Sequence, residues 1–221
     1  MSVKDTLGRR VFPRAIVALS TVRLPWKVGA AVQRALGRRG TVRLFVAFDD
    51  PASAVALLGL VQRLAGRRVD LVVEPVVARG IPGDPAVDAK KAYAVVDSRR
   101  LALRDGLELT RSAPIAAADV AFLAEWAAAV PAAQRTEFAE AAMHQLWFAS
   151  DGPVNPADFA GLLSSHEGSD PPPKVGLPGE RGMKRRRLYD TPVAVFAGQW
   201  FFAHERLPQI EYALDELGWT S

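Results

Sequence analysis

The hydrophobic positions of the chain fall into short runs separated by punctuation, and the spacing of those runs predicts the elements. Residues 42–48 are a brief β-branched and aromatic run, which predicts a buried strand. Asp49, Asp50 and Pro51 follow it. Asp50 is placed to cap the free N–H groups of a helix, and Pro51 suits the first helical position. Residues 52–64 are apolar almost all round, the pattern of a helix buried on every side, and Gly66 closes it. Residues 68–75 predict a second strand, stopped by Pro75. Strand, helix and strand in this order form a βαβ unit with a right-handed crossover. Further on, helical spacing recurs over 90–103, 116–130, 132–148 and 156–165. Residues 192–196 and 199–202 predict a hairpin turning at Ala197 and Gly198, and residues 207–217 a closing amphipathic helix. Before all of these, residues 26–36 suggest a short helix with apolar Val28, Ala31, Val32, Ala35 and Leu36.

The order is β-α-β, a helical block, then β-β-α. That is the α/β plan of a thioredoxin-like core with a helical domain inserted between its halves. The chain divides into a basic N-terminal extension at 1–40, a thioredoxin-like domain built from 41–85 and 183–221, an inserted helical domain at 86–168, and a loop at 169–182. The loop is read from Pro171, Pro172, Pro173, Gly176, Pro178, Gly179 and Gly182.

Composition narrows the chemistry. The 221 residues contain no cysteine, which excludes a dithiol–disulfide oxidoreductase, a thiolate metal site and a catalytic thiol. No run of about 18 uncharged apolar residues occurs, so no membrane-spanning helix is expected. The apolar patch at 15–19 is short and closely flanked by basic residues, which argues against a secretory signal and for the cytoplasm. His144, His166 and His204 are scattered, so no metal site is expected. Charge is uneven. Residues 1–40 hold nine Lys and Arg against the single acid Asp5, a net of +8 in a chain of +4. Such an arm can contact nucleic acid or a membrane, but its apolar residues favour packing on the acidic body or on a second subunit, where they would be buried. The basic run Lys184, Arg185, Arg186, Arg187 reads as a solvated loop or a phosphate contact. No nucleic-acid-binding signature accompanies it, so no nucleic-acid partner is expected.

Four segments resemble the DsbA-like group that contains 2-hydroxychromene-2-carboxylate isomerases and kappa-class glutathione transferases. They are the strand-to-helix turn at 48–53; the spacing Lys90, Tyr93, Asp97, Arg100 followed by Gly106; Thr191-Pro192-Val193; and the stretch 198–207 containing Phe201, Phe202, Glu205, Arg206 and Leu207. The resemblance covers roughly 41–218. It implies a small-molecule substrate, glutathione or another low-molecular-weight thiol as cofactor, and a homodimer.

The resemblance also assigns positions. A family serine near the glutathione sulfur is Asp50 here, and the aromatic residue after the family proline is Ala52. Asp50 is open to three readings: a general base toward a thiol, a protonated donor, or a helix cap alone. Ser53 is the nearest hydroxyl. Thr191 and Pro192 stand where the family has a cis-proline that offers backbone groups to an extended peptide. Glu205 and Arg206 stand where the family contacts the γ-glutamyl end, and Arg79 and Asp84 lie in a loop of ligand contacts. Lys90, Tyr93 and Asp97 fall on one helical face as a candidate wall of the substrate pocket, with His204 near it.

Two functions compete. One is a thiol-dependent isomerase or transferase acting on a small unsaturated substrate. The other is a catalytically inactive relative that binds a partner or ligand.

Overall fold

The computed structural model describes residues 24–77, 79–81, 83–165 and 177–220. The arm at 1–23, His166 and most of the expected loop at 169–182 lie outside the described residues. Helix α1 (Leu24–Ala35) precedes strand β1 (Gly40–Val46), helix α2 (Pro51–Leu64) and strand β2 (Val69–Pro75). The helical block follows: α3 (Val87–Arg104), α4 (Ala117–Ala129), α5 (Arg135–Met143), a π-helical turn (His144–Ala149), a short 3₁₀ turn (Pro156–Phe159) and α6 (Ala160–Ser165). Helix α7 (Pro178–Arg186), strands β3 (Val193–Phe196) and β4 (Gln199–Phe202), and helix α8 (Leu207–Glu216) complete the chain.

The four strands form one sheet in the order β2-β1-β3-β4. β1 and β2 run parallel with Leu44 opposite Val73. β3 is antiparallel to β1, and β4 is antiparallel to β3. Successive side chains of β1 point to opposite faces. Leu44 and Val46 enter the main core; Phe45 and Ala47 enter a smaller cluster with Val76 and Met183. α2 covers the first face and is buried along nearly its whole length, because it also packs on α3, α5 and α8. That is why its sequence lacks a polar stripe. Val95, Leu123, Phe138 and Trp147 of the helical block belong to the same core as Leu44 and Val55.

Two expectations are corrected. Residues 178–182 and the basic run after them form α7 and not a loop. Pro178 opens the helix, Glu180 lies in its first turn, and Lys184, Arg185 and Arg186 occupy its last, where they complement the helix dipole. The glycines that suggested a loop are there for contact: a Cβ on Gly182 would come within 2.9 Å of the Phe45 ring. The second correction concerns α1. Val28, Ala31, Val32, Ala35 and Leu36 are exposed, while Ala30 is buried and Arg34 half-buried against the body.

Candidate active site

The turn from β1 into α2 is held from four sides. The Asp50 N–H donates to the Ala47 carbonyl, and the Asp50 carbonyl accepts from the Ser53 and Ala54 N–H groups. Asp50 Oδ1 caps the helix by accepting the Ala52 N–H at 3.2 Å. Asp50 Oδ2 accepts two hydroxyls, Ser53 Oγ at 2.6 Å and Thr191 Oγ1 at 3.0 Å. The indole N–H of Trp147 donates to the Phe48 carbonyl at 3.0 Å, fastening the turn to the helical block. The peptide bond between Thr191 and Pro192 is cis.

Asp50 is 3 % exposed. Burial pushes its carboxyl above the ordinary carboxylate range. Arg79 and the hydroxyls of Ser53 and Thr191 pull against that push, and the neighbouring Asp49 adds to it. Arg79 stands beside this pair. Its Nη2 donates to Asp49 Oδ2 at 3.2 Å and its Nη1 to Asp190 Oδ1 at 3.5 Å. Burial lowers the guanidinium's proton affinity, but Asp50, Asp49 and Asp190 together hold it above its ordinary value.

Asp50 forms part of the wall of a cleft of about 420 Å³ between the βαβ unit and the helical block, which Thr191, Arg79, Asp84, Lys90 and His204 also line. A second lobe of about 410 Å³ shares Ala52, Lys90, Ala94 and His204 with it and adds Tyr93, Asp97 and Ser98. Asp84 is half-buried and paired with Lys90, which holds the Asp84 carboxyl below its usual value. Asp49, Asp50, Asp84 and Asp190 face Arg79, Lys90 and Lys91 across the first lobe.

The structure thus brings Asp50, Thr191, Arg79, Asp84, Lys90, Tyr93, Asp97 and His204 to one double cleft. Other expected residues sit elsewhere. Ser53 is fully buried and lines neither lobe. Its hydroxyl donates to Asp50 and its oxygen accepts the Ala47 N–H, so it supports Asp50 and has no proton for a ligand. Pro192 is buried, with its carbonyl accepting from the Ala203 N–H. Glu205 and Arg206 are exposed and line neither lobe, because Ala203 is fully buried and the chain turns outward into α8. Arg100 is exposed outside the second lobe.

The sequence reading missed three residues: Asp49, Asp190 and Trp147. Asp190 matters most. Its Oδ1 accepts the Thr191 backbone N–H at 2.9 Å, the group expected to receive an extended peptide. The Thr191 amide is taken and Glu205 and Arg206 are outside the cleft. The residues present therefore do not fit glutathione held in the way the resemblance implies. The doublet Asp49-Asp50 and an acid directly before Thr191-Pro192 were the available signals. Trp147 carried none.

No protein-family model matches the chain, and no curated protein matches it. Among solved structures, a 2-hydroxychromene-2-carboxylate isomerase is similar with a TM-score of 0.58 at 16% identity, over 80% of this chain and 95% of that one. The likeness shows a thioredoxin-like, DsbA-type fold. No helix among the described residues is long and apolar enough to cross a membrane, and no group of three or more His, Asp or Glu among them could hold a metal ion.

Proposed function

We propose that the chain is an isomerase-type enzyme that takes a small unsaturated organic acid into the double cleft and moves a proton with Asp50. The observation that carries this reading is a buried carboxyl facing a cleft, with its proton affinity raised by burial and its position held by Ser53, Thr191 and Ala52. A carboxylate of raised proton affinity is a stronger base than a solvated one and returns the proton it takes. Asp50 takes a proton from the carbon next to a substrate carbonyl. The electrons of the broken C–H bond pass to the carbonyl oxygen as an enolate, which the cations Lys90 and Lys91 of the cleft wall stabilise. Return of the proton from Asp50 to a more distant carbon shifts the double bond, with no atom gained or lost.

A second reading makes the isomerase or transferase dependent on a low-molecular-weight thiol such as glutathione. The likeness to a 2-hydroxychromene-2-carboxylate isomerase favours it. It requires Asp190 to release the Thr191 amide. One experiment separates the readings. Wild type and Asp50→Asn are incubated with a panel of 2-keto acids whose double bond lies β,γ to the keto group, and with 2-hydroxychromene-2-carboxylate, with and without reduced glutathione, and ultraviolet absorbance is followed. Turnover without thiol that falls about 100-fold or more in Asp50→Asn supports proton transfer by Asp50. Turnover only with glutathione supports the second reading. No turnover anywhere supports a non-catalytic, ligand-binding relative.

A further inference from the structure

Helix α7 ends in a run of cations that the fold leaves unpaired. Lys184, Arg185 and Arg187 are exposed, and none of them forms an ion pair among the described residues. A helix C-terminus offers about half a negative charge, far short of the four adjacent cations that begin at Lys184. The half-buried Arg186 lies 5.8 Å over the Phe45 ring. Burial lowers its proton affinity, repulsion from Arg185 and Arg43 lowers it further, and Glu74 works against them. Glu74 is itself bound by Arg43 at 2.7 Å. The same face of the sheet carries open aromatic rings. Register sets Arg43, Val195 and Trp200 side by side, and Phe45, Val193 and Phe202 likewise. Phe201 packs on the main core, so Trp200 and Phe202 point to the opposite face, which holds Phe45. Two strand spacings, about 10 Å, separate Arg43 from Trp200. Trp200 is 56% exposed and meets Phe202 edge-to-face at 5.8 Å; Phe202 meets the equally exposed Tyr189 at 6.4 Å.

We propose that the face formed by α7 and β4 binds single-stranded nucleic acid. Its two parts match the two parts of a nucleotide: the unpaired cations take phosphates, and the open rings stack bases. An acidic peptide would use the cations and leave the rings without a flat partner. A duplex keeps its base faces stacked inside, so the rings select an unpaired strand. Trp200 and Phe202 stand on a paired strand of the sheet and not on a protruding loop, which suits a chain laid across them better than insertion into a bilayer. Stacking accepts any base, so little sequence preference follows. No sequence signature announces this surface, because strand register assembles it and not a contiguous motif.

The test uses the full chain and the fluorescence anisotropy of labelled oligothymidylate and oligouridylate of about 20 nucleotides. Wild type is expected to bind both, with an affinity that falls as salt is raised. Trp200→Ala changes an exposed side chain, and its folding is checked by circular dichroism. Its affinity is expected to fall about tenfold or more, while Trp200→Phe keeps a ring to stack on and most of the binding. The triple variant Lys184→Ala, Arg185→Ala, Arg187→Ala is expected to bind more weakly, with a log–log salt slope shallower by about 2. No binding by wild type at low salt overturns the proposal. So does equal binding by the folded variants, which would assign the strand to the charge of residues 1–40. A loss in the triple variant with Trp200→Ala unchanged overturns it as well, and leaves a charged surface without stacking. Binding of phosphatidylglycerol vesicles in place of the oligonucleotides, lost in Trp200→Ala, overturns it and assigns the face to a bilayer.

Discussion

The Ser53 hydroxyl donates to Asp50 Oδ2 at 2.6 Å, and its oxygen accepts the Ala47 N–H at 3.2 Å. One fully buried side chain thus joins the end of the strand to the carboxyl that faces the cleft. Ser53→Ala removes both bonds, leaving a buried N–H without an acceptor and Asp50 with one donor fewer. The expected loss is about 1–3 kcal/mol of stability in urea unfolding. Because the lost donor favoured the charged carboxylate, the Asp50 proton affinity rises further, which carbon-13 NMR titration reads.

Asp50 itself makes stability depend on pH. Burial gives its carboxyl a higher proton affinity in the folded chain than in the unfolded one. Between the ordinary and the raised value the folded state therefore holds more protons, and stability falls as pH climbs through that window. The contribution is fully present below the window and lost above it. Asp50→Asn cannot ionise and keeps the cap through its amide oxygen. In thermal unfolding the variant is expected to gain on wild type at about pH 8 and to lose that advantage in acid.

Trp147 reaches across 99 residues to the Phe48 carbonyl. The buried Arg111 donates to the Leu146 carbonyl at 2.8 Å within the π-helical turn that carries it, and to the Gly152 carbonyl at 2.8 Å just beyond that turn. Trp147→Phe keeps most of the volume and drops the N–H. It is expected to cost about 1–3 kcal/mol. Turnover should fall with it, because the turn bearing Asp49 and Asp50 loses its tether.

Helix α7 approaches the β2 end so closely that a Cβ on Gly179 would lie 2.3 Å from the Pro75 carbonyl oxygen. The clash is with backbone, which cannot swing aside. Gly179→Ala should destabilise by about 1–3 kcal/mol in urea unfolding. Gly161→Ala, in a helix with nothing within 4 Å, should be neutral or stabilise by up to about 1 kcal/mol.

What the sequence reveals tracks how local the physics is. The β1–α2–β2 unit, the hairpin and the cap by Asp50 rest on neighbours a few residues apart, and the pattern of residues 42–75 displays them. α7 was hidden because Gly179 and Gly182 mark a turn in one context and close packing on Pro75 and Phe45 in another. The apolar spacing of α1 was legible, but which side met the body depended on Trp219, which lies beneath the Arg34 guanidinium from nearly 200 residues away. In the site, Asp50 and Thr191 were visible through their neighbours in sequence. The acid that closes the Thr191 amide is its immediate neighbour Asp190 and was open to a local reading, whereas the position of Glu205 and Arg206 outside the cleft depends on how the chain turns in three dimensions.

The most direct test is the pH dependence of kcat/KM for an acid of the panel that wild type turns over, measured beside the NMR titration of Asp50. The account predicts one inflection that follows the Asp50 titration, above the ordinary carboxyl range, and a rate about 100-fold lower or less in Asp50→Asn without that inflection. Turnover by Asp50→Asn at the wild-type rate, with the inflection intact, would contradict it.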